Sequence, residues 1–135
     1  MVQYKLKVYP LGLGREVYRI FNICDKDSLE KLCDLIVDSF GCEEMHLYEF
    51  CMDGEKYSQN SIQMEECGRV KLKNIGIEKG QKFLLHYDFG ADWLFQINVQ
   101  GLTEVEKYAK PSVEKEKGTL RQHRTNRKAR TDLSV

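Results

Sequence analysis

The chain has 135 residues, 21 Lys+Arg against 21 Asp+Glu, and is 41% hydrophobic and 10% aromatic. That length fits one domain and that composition fits a packed core, which excludes a complete protein kinase, a TIM barrel or a full dinucleotide-binding dehydrogenase. The neutral total averages two unlike parts. Residues 1–109 hold 13 basic and 18 acidic side chains, net −5, and residues 110–135 hold 8 and 3, net +5.

Taken in chain order, Val2, Tyr4, Leu6 and Val8 alternate with Gln3, Lys5 and Lys7, which predicts a half-buried strand. Pro10 to Gly14 turns the chain, and Arg15 to Ile23 returns as the second arm of a hairpin. Val17, Phe21 and Ile23 share one phase, and Arg19 falls in it too. A buried guanidinium needs an acidic partner, for which Asp88 and Glu49 are the candidates, unless Arg19 reaches water at a sheet edge.

Asp27-Ser28-Leu29-Glu30 opens a helix, with Asp27 as the expected cap. Leu29, Leu32, Cys33, Ile36 and Phe40 form its apolar stripe, and Gly41 ends it. Met45 to Met52 predicts a third strand, apolar on both faces and therefore central. Asp53-Gly54 signals a turn, with residues 55–57 returning. Residues 58–68 read as loop, and Val70 to Ile77 as a short strand or turn. Phe83, Leu85, Tyr87 and Phe89 then share a face, Gly90-Ala91-Asp92 turns the chain, and Trp93, Phe95, Ile97 and Val99 alternate back. Residues 104–117 suit an edge strand or a charged helix. Strands around one main helix predict an α+β fold, with a mostly antiparallel sheet arranged as a β-grasp-like roll. The domain is expected over residues 1–118 and a basic tail over 119–135.

The residues with chemical potential are few. Asp88-Phe89-Gly90 spells a kinase magnesium motif, but the chain is too short and lacks the accompanying catalytic loop. Asp88 and Asp92 flank a glycine turn beside Trp93, the single tryptophan. They either bond the turn's own amides or line a pocket that takes a cation or basic group. His46 and Glu49 lie three apart, on opposite faces of a strand, and so do not form a direct acid–base pair. The candidate pocket is therefore Arg19, His46, Glu49, Asp88, Asp92 and Trp93. Five cysteines without a Cys-x-x-Cys pair argue for reduced thiols in a cytoplasmic protein and against a zinc site. No metal, cofactor, secretory signal or membrane span is expected. The tail groups Arg121, Arg124, Arg127, Lys128 and Arg130 without aromatics. Such a tail either follows phosphates nonspecifically or is a solvated end.

Four pieces together resemble a known family. They are Val17-Tyr18-Arg19, Phe40-Gly41, His46-Leu47-Tyr48-Glu49-Phe50, and Tyr87-Asp88-Phe89-Gly90-Ala91-Asp92-Trp93. The pattern is similar to the Ri-plasmid open-reading-frame-three-like family, also known as insertion-element passenger proteins of a TnpR type. The resemblance covers about residues 2–118. It implies a small α+β roll in a plasmid or transposon context, and it implies no defined reaction. Where relatives usually carry an acid this chain has Ala91. Where they often carry a histidine it has Phe95, and Tyr18 replaces a frequent tryptophan. Two functions follow as expectations. One is a noncatalytic accessory module that contacts protein or nucleic acid. The other is a small hydrolase-like enzyme using Arg19, His46, Glu49, Asp88 and Asp92.

Overall fold

The computed structural model describes residues 1–42 and 46–120. Seven strands form one sheet: β1 Val2–Pro10, β2 Tyr18–Cys24, β3 Tyr48–Cys51, β4 Ser61–Gln63, β5 Lys82–Tyr87, β6 Trp93–Glu104 and β7 Ser112–Lys117. Their order across the sheet is β4-β3-β5-β6-β1-β2-β7, and every pairing is antiparallel. Helix α1, Leu29–Ser39, packs on one face, and a short helix α2 spans Met64–Cys67. This is the α+β architecture expected from the strand and helix order.

Register explains the core. Residues opposite one another in an antiparallel pair point to the same side of the sheet. Leu6 faces Phe21 on one neighbour and Val99 on the other, and Phe95 faces Leu85, which in turn faces Phe50. Leu29, Leu32, Cys33, Ile36 and Val37 of α1 close over that layer in one contiguous cluster. The helix starts at Ser28, whose hydroxyl accepts from the Lys31 amide at 3.1 Å. Ser28 caps in place of the expected Asp27, whose carboxylate instead accepts from the Tyr108 hydroxyl at 2.9 Å.

Other local expectations shift. The strand starts at Tyr48, so His46 lies in the preceding loop, and Met45 lies outside the described residues. The returning strand is β4, not residues 55–57, because Tyr57 adopts φ 58° and is spent on a wider loop. The Val70–Ile77 segment contributes a 3-10 turn at Leu72–Asn74. The last stretch resolves as edge strand β7, which is exposed along its whole length and alternates Glu with Lys. Charged, solvated side chains of this kind discourage further strand pairing.

Candidate functional site

Glu49 and His86 are direct cross-strand partners on β3 and β5, on the face opposite α1. Both are fully buried. The loop of residues 53–60 and the turn of residues 88–92 supply Tyr57 and Phe89, whose rings pack on the imidazole: Phe89 stacks at 4.6 Å and Tyr57 meets it edge-on at 5.2 Å. Glu49 Oε2 accepts from His86 Nδ1 at 2.8 Å and from the Tyr57 amide at 2.9 Å. Its Oε1 accepts from the Gln63 side-chain amide at 3.2 Å. His86 Nε2 reaches Asp92 Oδ1 at 2.7 Å, and Asp92 Oδ2 takes Lys56 Nζ at 2.8 Å.

Burial by itself would raise the Glu49 carboxyl. The bonds from His86, the Tyr57 amide and Gln63 outweigh it and hold Glu49 below its ordinary value. Lys56 first, then His86, hold Asp92 below its ordinary value, and Lys56 is raised in return. An ionised carboxylate accepts hydrogen bonds and cannot donate them, so Glu49 orients the imidazole through Nδ1. The chain Glu49–His86–Asp92–Lys56 thus runs from a fully buried carboxylate to a half-exposed ion pair, and each carboxylate meets a nitrogen partner. The strain sits at the same place. Among the described residues, Tyr57, Asp88 and Asp92 are the non-glycines in the left-handed region, at φ 58°, 59° and 61°. Such conformations persist where surrounding contacts over-determine them.

The other expected site residues disperse. His46 Nε2 stands 3.5 Å from Asp88 Oδ2, outside the strand face. Asp88 Oδ1 also accepts from the Ala91 amide at 3.2 Å, so it does bond its own turn. Trp93 pairs with Tyr87 on the helix-covered face and stacks on Phe95, with its back to the His86 network. Neither Asp88 nor Glu49 serves Arg19. That guanidinium pairs with Glu116 Oε1 at 3.1 Å, donates to the carbonyls of Ser39, Lys117 and Gly118, and lies over the Phe40 ring. It fastens β7 and the end of α1 to β2. Four strand steps separate β2 from β3, roughly 19 Å. Arg121, Arg124, Arg127, Lys128 and Arg130 lie outside the described residues.

Sequence reasoning missed His86, the centre of the network. It alternates out of phase with Phe83, Leu85 and Tyr87, a phase that normally faces water. The signal that would have found it is register: Glu49 comes opposite His86 once β3 is paired with β5. Lys56 and Gln63 had no local signal at all.

Across β6, β1, β2 and β7 the same sheet face is uncovered. Lys7 Nζ lies 4.6 Å from the Tyr18 ring centre and 5.7 Å from that of Tyr9. Lys115 approaches Tyr18 from β7 at 5.8 Å. Lys82 and Asn98 continue the row toward β5. Beside it Lys7, Tyr9, Arg15, Glu16 and Asn98 border an open cleft of about 510 Å³.

Fold and site thus define a small α+β module with one helix-covered sheet face and one face divided between a buried ionic network and an open basic surface. The chain belongs to the family of plasmid pRiA4b ORF-3-like proteins, whose model matches residues 2–121. Its fold is similar to that of a protein of unknown function, MM3350, from Methanosarcina mazei Go1. The two share 22% identity and a TM-score of 0.70, over 85% of this chain and 68% of that one. No curated protein matches. Among the described residues no helix is long and apolar enough to cross a membrane.

Proposed function

We propose that this protein is a noncatalytic, cytoplasmic accessory module of a mobile element that contacts nucleic acid through the uncovered part of its sheet. The observation that carries this reading is the packing of Lys7 between Tyr9 and Tyr18, with Lys115 on the same tyrosine. Ammonium groups neutralise phosphates, and tyrosine rings beside them offer faces on which bases stack. Arg15, Lys82 and Lys117 widen the basic surface, while Glu114 is occupied by Lys5 at 3.0 Å. The chain beyond β7 adds Arg121, Arg124, Arg127, Lys128 and Arg130 in sequence, consistent with a basic tail that extends the footprint. The hydrolase alternative gains no geometric support, because Arg19 is remote and both nitrogens of His86 are engaged.

The test is fluorescence anisotropy with a labelled single strand and a labelled duplex in low salt. The full chain should bind, with affinity falling steeply as salt rises. Lys7→Glu combined with Lys115→Glu should weaken binding by roughly tenfold or more. Absence of binding to either nucleic acid at low salt refutes the proposal.

A further inference from the structure

We propose that His86 and Lys56 form a binding site for a monoanionic oxyanion, and that Asp92 occupies this site as an internal stand-in for the ligand. Asp92 spends one oxygen on each nitrogen: Oδ1 on His86 Nε2 at 2.7 Å and Oδ2 on Lys56 Nζ at 2.8 Å. An external carboxylate or phosphodiester presents the same two oxygens. The Asp92 side chain is 46% exposed, against 0% for His86. The carboxylate therefore sits at the protein surface as a plug over a buried donor. Lys56 is itself 39% exposed, so the second nitrogen already faces solvent beside the plug.

The site is built to outlast the loss of its plug. Glu49, not Asp92, fixes the imidazole, through Nδ1 at 2.8 Å, and Glu49 is itself held by the Tyr57 amide and Gln63. Removing Asp92 leaves His86 Nε2 and Lys56 Nζ without the two carboxylate oxygens they share. A singly charged oxyanion with two free oxygens replaces both contacts.

Asp92→Gly provides the test, because glycine accepts the φ of 61° and the plug is removed while the turn is kept. The full-length variant is titrated with acetate, with dimethyl phosphate, and with chloride at matched ionic strength. The His86 ring resonances and the thermal midpoint are followed. Acetate, dimethyl phosphate or both should shift the His86 signals saturably and raise the midpoint by about 3 °C or more near saturation. The wild-type chain should respond at least tenfold more weakly. Adding Lys56→Ala to Asp92→Gly should cut the response at least fivefold. A response to only one of the two anions assigns the ligand class. Should Asp92→Gly fail to fold, Asp92→Asn takes its place, with a weakened plug and an intermediate response expected. No saturable shift in the folded variant, or one that chloride reproduces, overturns the proposal.

Discussion

One sheet face carries two opposite solutions to the same problem. Over β3 and β5 two loops cover it, and the polar groups beneath bond one another: Glu49 and His86 are fully buried, and Glu49 is held by His86, the Tyr57 amide and Gln63. Over β1, β2 and β7 the face is left to water, and its lysines lie along tyrosine rings. The first arrangement is costly to break, because an ion stripped of its partner inside a protein has no water to turn to. The second is cheap to alter, because water replaces each lost contact. Buried polar contacts are thus concentrated at one end of the face, and solvated charges at the other.

The largest test of this contrast is Glu49→Ala. It leaves His86 buried without its anchor and should cost about 3–5 kcal/mol in urea unfolding. A loss under 1 kcal/mol would show that the covered half contributes little. Gly118→Ala comes next. At φ 73° an added Cβ would stand 2.1 Å from the Glu16 carbonyl oxygen, where β7 joins the body of the sheet. We expect a loss of about 1–3 kcal/mol, read from the shift in thermal midpoint.

Acid should separate the halves as well. Glu49 and Asp92 are both held below their ordinary values. Their contribution is therefore complete above the unfolded carboxylate range, about pH 4. It is lost as pH falls through the lower folded values. Urea midpoints measured against pH should drop in that acid window, and Glu49→Gln should flatten the drop. The smallest effect belongs to the open half. Lys7→Ala should change stability by no more than about 0.5 kcal/mol, while weakening nucleic-acid binding in the same preparation. A large stability loss there would mean that the lysine is structural.

Much of the fold was legible. Alternation in residues 2–9 and 93–99, and the helical stripe from Leu29 to Phe40, are local patterns that survive into β1, β6 and α1. The middle segment was not legible, because Tyr57 breaks the simple return and α2 and the 3-10 turn are each too short to show a period. The site was half legible. Glu49 was marked as an acid for Arg19, and Asp88 and Asp92 as acids flanking a glycine turn. Arg19 was rightly marked as needing an acid, but its partner Glu116 lies on a strand that sequence left ambiguous.

The cysteines follow the same division. Their number and spacing spoke against a metal ligand pattern, but nothing local revealed their reactivity. Burial pushes Cys42 and Cys51 up to about 11 and Cys67 up to about 12. Those values keep the groups as thiols at neutral pH, so they pack as small apolar side chains.

Sequence alone determined the class of fold, the apolar face of each main element and the charge asymmetry between residues 1–109 and 110–135. These depend on periodicity and composition, which are properties of neighbours along the chain. Tertiary structure alone decided that His86 meets Glu49 and Asp92, that Lys56 completes the network, and that Tyr18 lies between lysines of β1 and β7. Each of those contacts joins residues from different strands or loops. A one-residue slip of β5 would turn His86 to the helix-covered face and leave Glu49 facing a different residue, so the pairing of strands, and nothing nearer in sequence, makes the site.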